Sequence, residues 1–268
     1  MTDAGPAWYV YCILAAGQPP RLDGVAGVDS TFGIGLLTEG NLTAVVSRVR
    51  PEEFGAEALK VNFEDLDWLA RVARTHNRLL GHILNDQAVV PLRLCTIFAD
   101  ESAVRDVLKR ERHGFIEALA RLRDRAEWSV KALADTRSLV PAVTEHRLAR
   151  AGAGAPGTGR AFFERKKVER GARDEARALV EQAVEEIHQR LTRQAAAGIR
   201  LPPQSQQLSG HPGEMALNGA YLVDRPRADE FAARVNELAA RHREIGLTLH
   251  VSGPFAAYNF VTIPEQRA

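Results

Sequence analysis

The sequence predicts an α+β protein of two domains, an N-terminal α+β domain followed by a ferredoxin-like βαββαβ domain that ends in a C-terminal tail. The 268 residues suffice for two domains of ordinary size. The N-terminal part mixes strand-like apolar runs with helical patterns. From Trp128 onward the predicted elements follow the order β-α-β-β-α-β, which is the ferredoxin-like arrangement. We place the domain boundary near Asp124, so that the domains cover residues 1–124 and 125–268.

Three segments of the first domain read as β structure. "AWYVYCILA" is aromatic and β-branched without alternation, which is typical of a buried strand. Ile34–Leu37 and Leu42–Val49 are the arms of a hairpin, because "TEGN" between them supplies a turn. Ala88–Phe98, "AVVPLRLCTIF", predicts one further strand.

Helical patterns separate these strands. Pro51 and the acids after it begin a short helix. A helix follows from about Glu64 to Asn85, and a third helix runs from about Glu101 to Ala126. Because glycine weakens a helix, a break in the third helix is expected near "HG" at residues 113–114. The second helix has an apolar stripe at spacings of three and four, made of Leu66, Leu69, Ala73, His76, Leu80 and Ile83.

The second domain has a similar mixture. "EWSVKALA" alternates as a strand and precedes a short helical piece at Ser138–Arg150. Ala151–Gly159 is a glycine-rich loop, since its small residues cannot form a core. A long helix from about Ala161 to Ala197 comes next. The remaining elements are an edge strand limited by two prolines, "GIRLPPQSQQL", then strand "EMALNGAYLV", helix "ADEFAARVNELAARH" and strand "LTLHVSG".

Charge and composition argue against several classes of protein. The chain has 35 Lys and Arg against 34 Asp and Glu, interleaved along the sequence, whereas a nucleic-acid binder shows a basic excess. No apolar run approaches the roughly 20 residues that span a bilayer. Cys12 and Cys95 lie in apolar runs and are expected as small hydrophobic residues rather than a disulfide. Without a signal peptide, the expected location is the cytoplasm.

No catalytic, metal-binding or cofactor-binding motif stands out. The sequence has no phosphate-binding loop and no CxxC, and its "GIG" lies in a hairpin rather than between a strand and a helix. His76 and His82 are six residues apart, which does not bring both onto one helix face for a metal ion. The residues alone therefore indicate no catalytic residue, no metal and no cofactor, whereas an absent motif does not by itself exclude an activity.

Two polar residues are expected to have structural roles. His76 lies on the apolar stripe of its helix, so a hydrogen-bonded core histidine is favoured over an acid or base. Arg93 interrupts an apolar strand, and a buried arginine needs a partner. That partner is either a group within the protein or the anion of a ligand.

The tail "GPFAAYNFV" carries no charge although it lies close to the end of the chain. Such a segment either closes the fold or meets a partner. Fold closure is favoured for Phe255 and Val261, because aromatic side chains contribute strongly to cores. Tyr258 and Phe260 are expected on one face of a strand. If that face is uncovered, Phe255, Tyr258 and Phe260 are candidate partner-binding residues.

Four stretches together resemble the gas vesicle protein GvpF/GvpL family. They are "YVYCIL", "VVPLRLCTIF", "MALNGAYLVDR" and "GPFAAYNFV", in the order of the family and across most of the chain. The chain departs from the family at Cys95, where the family often has glycine, and at the insertion Ala151–Gly159.

The resemblance implies an accessory or minor structural protein of gas vesicles rather than an enzyme. Gas vesicles are hollow shells of a small hydrophobic subunit, and free apolar surface drives aggregation. The family is thought to bind that subunit and to assist nucleation and assembly, so the implied partners are the shell protein and other accessory proteins. The alternative from another class is a cytoplasmic enzyme or small-molecule-binding module with a pocket between sheet and helices.

Overall fold

The chain forms two compact units in a computed structural model, which describes residues 5–135, 139–141, 143–145, 159–204 and 214–261. Unit 1 consists of Met1–Glu127 and Pro254–Ala268, and unit 2 of Trp128–Gly253. The division after Glu127 lies close to the boundary that we placed near Asp124. The tail differs from our expectation, because it belongs to unit 1 instead of the second domain. The reason is its packing, since Ala256 lies in the core of unit 1.

Unit 1 contains a five-stranded antiparallel sheet. The strands are β1 (Ala7–Ala15), β2 (Ile34–Glu39), β3 (Leu42–Val49), β4 (Val90–Pro91) and β5 (Ile97–Phe98). The order is β2-β3-β1-β4, and β5 also pairs with β1. The predicted first strand and hairpin are present as β1 and β2-β3, and Gly40 in the hairpin turn has a φ of 58°, which glycine adopts at little cost.

A β-bulge lies at Tyr11 in the central strand. The pairing of β1 with β3 shifts between Val10 and Cys12. An extra residue reverses the alternation of side chains along a strand. Accordingly Tyr9 and Tyr11 face the core on one side of the bulge, and Cys12 and Leu14 face the same core on the other. The bulge thus places two tyrosine rings next to each other, with centroids 4.7 Å apart.

Five helices accompany this sheet, namely α1 (Pro51–Phe54), α2 (Ala56–Asn62), α3 (Leu66–Leu84), α4 (Glu101–Arg110) and α5 (Arg112–Leu122). The helix predicted from about Glu64 is α3, and the Asp65 side chain caps it by accepting hydrogen bonds from the backbone N–H groups of Asp67 and Trp68. The expected break in the next helix falls at Glu111, slightly before "HG".

The strand predicted over Ala88–Phe98 is interrupted. Between β4 and β5 the chain makes a turn in which the backbone N–H and the hydroxyl of Thr96 both donate to the carbonyl of Arg93. Cys95 within this turn has a φ of 60°, in the left-handed region. The Tyr9 hydroxyl accepts the N–H of Cys95 at 3.0 Å, and this hydrogen bond holds the turn against a residue distant in sequence.

Unit 2 is built around a four-stranded sheet. Its elements are β6 (Arg125–Ala134), α6 (Gly159–Thr192), β7 (Ala197–Arg200), β8 (Glu214–Asp224), α7 (Ala228–His242) and β9 (Leu247–Phe255). The strand order is β7-β8-β6-β9, and β7 is an edge strand, as expected. It ends at Arg200, before the two prolines, whereas the predicted strand extended beyond them. Residues 139–141 and 143–145 are helical. Outside the described residues lie 1–4, 136–138, 142, 146–158, 205–213 and 262–268, which include most of the glycine-rich loop and the last part of the predicted strand "GIRLPPQSQQL".

The core of unit 2 lies between the sheet and its two long helices. Helix α6 contributes Ala176 and Ile187, and α7 contributes Phe231. They pack against Val130 of β6 and Tyr221 of β8. Across the parts of the chain that the structure describes, none of the helices is both long and apolar enough to cross a membrane.

Candidate functional site

The terminal segment, defined here as Pro254–Val261, is folded onto unit 1. Our prediction that Tyr258 and Phe260 share a strand face is wrong, because Tyr258–Phe260 form a 3₁₀ turn. The N–H of Tyr258 donates to the carbonyl of Ala256, and that of Phe260 to the carbonyl of Ala257. These local hydrogen bonds replace the pairing that a strand would need, so the two rings point in different directions.

Two polar anchors hold the terminal segment. The buried carboxylate of Glu127 accepts the Asn259 backbone N–H at 3.0 Å and the Asn259 side-chain amide at 2.6 Å. The guanidinium of Arg121 donates to the carbonyl of Phe260. Burial raises the pKa of Glu127, and the two hydrogen bonds from Asn259 oppose that rise.

The three candidate aromatic residues have different environments. Phe260 is 9% exposed and belongs to the core. Tyr258 is half-buried, and its hydroxyl donates to the side-chain oxygen of Asn77 at 3.3 Å. Phe255 is 45% exposed at the end of β9, although we had favoured it for fold closure. Of the three, Phe255 is therefore the ring that a partner reaches most easily, and partner binding by these residues stays a prediction.

His76 lies in the interior of unit 1, as predicted. Its Nδ1 is 2.8 Å from the Tyr9 hydroxyl. The same hydroxyl also accepts the Cys95 N–H, so it links the His76 ring to the turn that contains Cys95. Burial lowers the pKa of His76 to about 4, with the Leu92 backbone opposing the shift. The ring is therefore neutral at pH 7, which suits a structural role.

Arg93 does not have the environment that we expected. Its side chain is exposed, and it forms no hydrogen bond or ion pair with the residues that the structure describes. The prediction of a buried arginine with a partner is wrong, because the turn between β4 and β5 directs the side chain to solvent. His76 and Arg93 thus do not combine into one site.

Sequence reasoning missed an exposed apolar surface on unit 1. We call it the 61–66 patch, consisting of Val61, Phe63 and Leu66, which are 69%, 47% and 77% exposed. Leu66 was expected on the buried stripe of α3, whereas the stripe that the structure shows begins at Trp68. The exposure of Val61 and Phe63 could have been inferred from the sequence, because the two residues do not follow the spacing of three and four that marks a buried helical stripe.

Hydrogen bonds hold the backbone under the 61–66 patch. The Asn62 side chain donates to the carbonyl of Glu53 at 2.9 Å, and Asp65 caps α3. The indole N–H of Trp68 donates to the Glu53 carboxylate at 2.8 Å. The Phe63 ring lies against Trp68, with centroids 6.2 Å apart. The apolar side chains are therefore presented by an ordered segment.

From Glu57 to Arg71 the sequence has four acidic and two basic residues. The two nearby cations are already engaged, since Lys60 pairs with Glu57 at 2.7 Å and Arg71 with Glu53 at 3.0 Å. Two carboxylates close to Leu66 in the sequence, those of Glu64 and Asp67, are exposed and form no ion pair within the described part of the chain.

No arrangement of catalytic groups emerges from the described residues. They contain no cluster of His, Cys, Asp and Glu suited to a metal ion. Cys12 and Cys95 are both free, and burial raises the pKa of the Cys95 thiol to about 12. An open cleft of about 630 Å³ in unit 2 has charged walls that include Arg173, Asp174 and Glu214. It brings together none of the residues that we singled out.

Comparison with known proteins places the chain among gas vesicle proteins. The family model for gas vesicle synthesis protein GvpL/GvpF matches residues 7–262. Gas vesicle protein L of Streptomyces sp. (strain CB03234) is 35% identical over 251 residues, which cover 93% of this chain and 86% of that protein. Gas vesicle protein F of the same organism is 28% identical over 260 residues, covering 94% and 98%.

Solved structures of similar fold include two GvpF proteins. GvpF of Anabaena sp. PCC7120 superposes with a TM-score of 0.72 at 17% identity, over 98% of this chain and 99% of that one. GvpF of Microcystis aeruginosa gives a TM-score of 0.67 at 16% identity, over 96% and 99%. At this identity the likeness concerns the fold, whereas the family match rests on sequence. The chain belongs to the GvpL/GvpF family of gas vesicle synthesis proteins.

Proposed function

We propose that this protein assists gas vesicle formation by binding the hydrophobic shell subunit, as an accessory or minor structural component rather than an enzyme. Its family supports a role in gas vesicle formation. On this proposal the protein prevents premature association of the shell subunit and delivers it to the growing shell. It acts in the cytoplasm and at the vesicle, where other accessory proteins are further candidates for partners.

The observation that carries the proposal is the 61–66 patch. Three large apolar side chains remain exposed within six consecutive residues, and clusters of exposed apolar side chains mark interaction surfaces. Val61 and Leu66 are more exposed than Phe255. A rigid apolar surface can cover part of a hydrophobic subunit without first ordering itself, and that lowers the entropic cost of binding.

We also propose that unit 2 is a ferredoxin-like domain. The element order β6-α6-β7-β8-α7-β9 and the sheet order β7-β8-β6-β9 support it. Domains of this class serve in enzymes, ligand sensors and assembly modules alike, so the function of unit 2 must be argued from its residues.

Co-expression with a tagged shell subunit tests the proposed function. We expect the full chain to co-purify with the subunit and to increase the amount of subunit in the soluble fraction. A control with the shell subunit expressed alone sets the baseline. If the chain neither co-purifies nor changes the soluble amount of the subunit, binding of the shell protein is excluded as its function.

A further inference from the structure

The 61–66 patch combines two properties that restrict what it can bind. Val61, Phe63 and Leu66 supply apolar contacts, and Glu64 and Asp67, which are close to Leu66 in the sequence, form no ion pair with any residue that the structure describes. We propose that the patch is a docking surface for an amphipathic helix whose apolar stripe is flanked by lysine or arginine. The proposal rests on the proposed function in one respect, since the helix is expected to come from a gas vesicle protein.

The exposed apolar side chains of the patch suit one face of a helix. A helix presents apolar residues at spacings of three and four along one face, and such a stripe fits a short row of apolar side chains. The row here is short and comes from consecutive chain, between the end of α2 and the start of α3. Helix α2 has no buried residue, so its outer side is open to a second helix.

The acidic residues near the patch favour a partner of positive charge. Lys60 and Arg71 are already paired with Glu57 and Glu53. The carboxylates left over, Glu64 and Asp67, therefore set a negative field at the edge of the patch. This field attracts a basic helix and repels an acidic helix of equal hydrophobicity, and salt at about 0.15 M screens it beyond about 8 Å.

The chain that carries the 61–66 patch is held by hydrogen bonds, and this favours a complex of one defined geometry. Glu53 accepts hydrogen bonds from the Trp68 indole and from Arg71, and its backbone carbonyl accepts from Asn62. Asp65 fixes the start of α3. Because the backbone between the three apolar residues is already hydrogen-bonded, little conformational freedom remains to be lost on binding.

Two designed peptides of about 18 residues test the proposal. One is a leucine-arginine amphipathic helix, and the matched control has glutamate in place of each arginine. Titration of fluorescently labelled peptide with the full chain measures the affinity at low and at physiological salt. We expect the basic peptide to bind at least about tenfold more tightly than the acidic peptide, with a difference that shrinks as salt is added.

Three variants identify the surface. V61S/F63S/L66S removes the apolar side chains and is expected to lose about tenfold or more in affinity for the basic peptide. E64Q/D67N keeps the apolar side chains and is expected to bind more weakly with less dependence on salt. Leu179→Ser, at a residue that is 37% exposed in unit 2, is the matched control and should bind as the wild type does. If the triple variant fails to fold, E64Q/D67N decides the question.

Several outcomes would overturn the proposal. They are equal binding of the two peptides, undiminished binding by the folded triple variant, and salt dependence that E64Q/D67N leaves unchanged. Self-association of the wild-type chain that the triple variant abolishes, measured by light scattering, would assign the patch to a second copy instead. Failure to bind the shell subunit with retained, patch-dependent peptide binding would remove the proposed function and leave the docking surface. Retained binding of the shell subunit by the triple variant would leave the proposed function and show that the subunit does not dock on the patch.

Discussion

The carboxylate of Glu127 accepts two hydrogen bonds from Asn259, one from the backbone and one from the side chain. We expect Glu127→Ala to reduce the free energy of unfolding by about 1.5–3 kcal/mol, because it removes two hydrogen bonds to a buried carboxylate. Urea denaturation measures this change. Tyr258→Phe serves as control, since it removes a single, long hydrogen bond among the described residues, that of the hydroxyl to Asn77 at 3.3 Å. Equal stability of Glu127→Ala and wild type would mean that the anchor contributes nothing.

Removal of the Phe260 ring should destabilise unit 1. The ring is 9% exposed, so Phe260→Ala is expected to cost about 3–5 kcal/mol through lost burial and the cavity that remains. Phe255→Ala should cost much less, because that ring is 45% exposed. Thermal unfolding of the two variants provides the comparison. A larger loss from Phe255→Ala than from Phe260→Ala would contradict the described packing of the terminal segment.

His76 should make the protein less stable in mild acid. Its pKa is about 4 in the folded protein against 6.5 for an ordinary histidine. Between pH 6.5 and pH 4, His76 binds a proton in the unfolded chain but stays neutral in the folded protein. Unfolding free energy therefore falls as the pH falls from about 6.5 to 4, by about 3 kcal/mol in total from this group.

The variant His76→Gln isolates this contribution. It has no titratable ring and keeps a side-chain amide, which offers the Tyr9 hydroxyl both a donor and an acceptor. We expect its unfolding free energy to change less between pH 7 and pH 4.5 than that of the wild type. His113→Gln, at a largely exposed position, is the control and should behave as the wild type. Parallel pH profiles for His76→Gln and wild type would show that His76 titrates normally.

Arg93→Leu should change stability by no more than about 0.5 kcal/mol, since the side chain is exposed. The matched comparison is Asp29→Asn. Burial acts to raise the pKa of Asp29, but hydrogen bonds from Arg50 and Thr31 outweigh it and lower the pKa to about 2. Loss of this charge is expected to cost about 1.5–3 kcal/mol. If a urea titration shows Arg93→Leu to be as damaging as Asp29→Asn, Arg93 has a partner that the structure does not show.

Cys95 occupies a backbone conformation that disfavours most side chains. At a φ of 60° a β-branched residue is strained, so Cys95→Val should be less stable than the wild type by about 1–2 kcal/mol. Cys95→Gly relieves the strain but loses the contacts of a half-buried side chain, and we expect it to stay within about 1 kcal/mol of the wild type. Calorimetric melting of both variants checks the order. A valine variant more stable than the glycine variant would refute the assignment of strain.

Local periodicity was sufficient for much of the fold. Strand β1, the β2-β3 hairpin and helix α3 were predicted because each carries its pattern within its own residues. The prediction of one strand over Ala88–Phe98 was wrong. The N–H of Cys95 bonds to the Tyr9 hydroxyl, and no local sequence pattern indicates that contact.

The candidate site was harder to predict for the same reason. The terminal segment has a strand-like composition, but its conformation depends on Glu127 and Arg121, which are far away in the sequence. Leu66 fits the apolar spacing of α3 and is nevertheless exposed, because it lies at the first position of the helix, ahead of the buried Trp68. Exposure at a helix end is set by what packs there, which spacing does not encode.

The split of unit 1 across the chain has a consequence for synthesis. A ribosome produces Met1–Glu127 first, then all of Trp128–Gly253, and only afterwards Pro254–Val261. At about 5–20 residues per second, the nascent unit 1 waits several seconds for its last segment, with Glu127 unpaired and the ring of Phe260 missing. During that interval the incomplete unit is a natural client for chaperones.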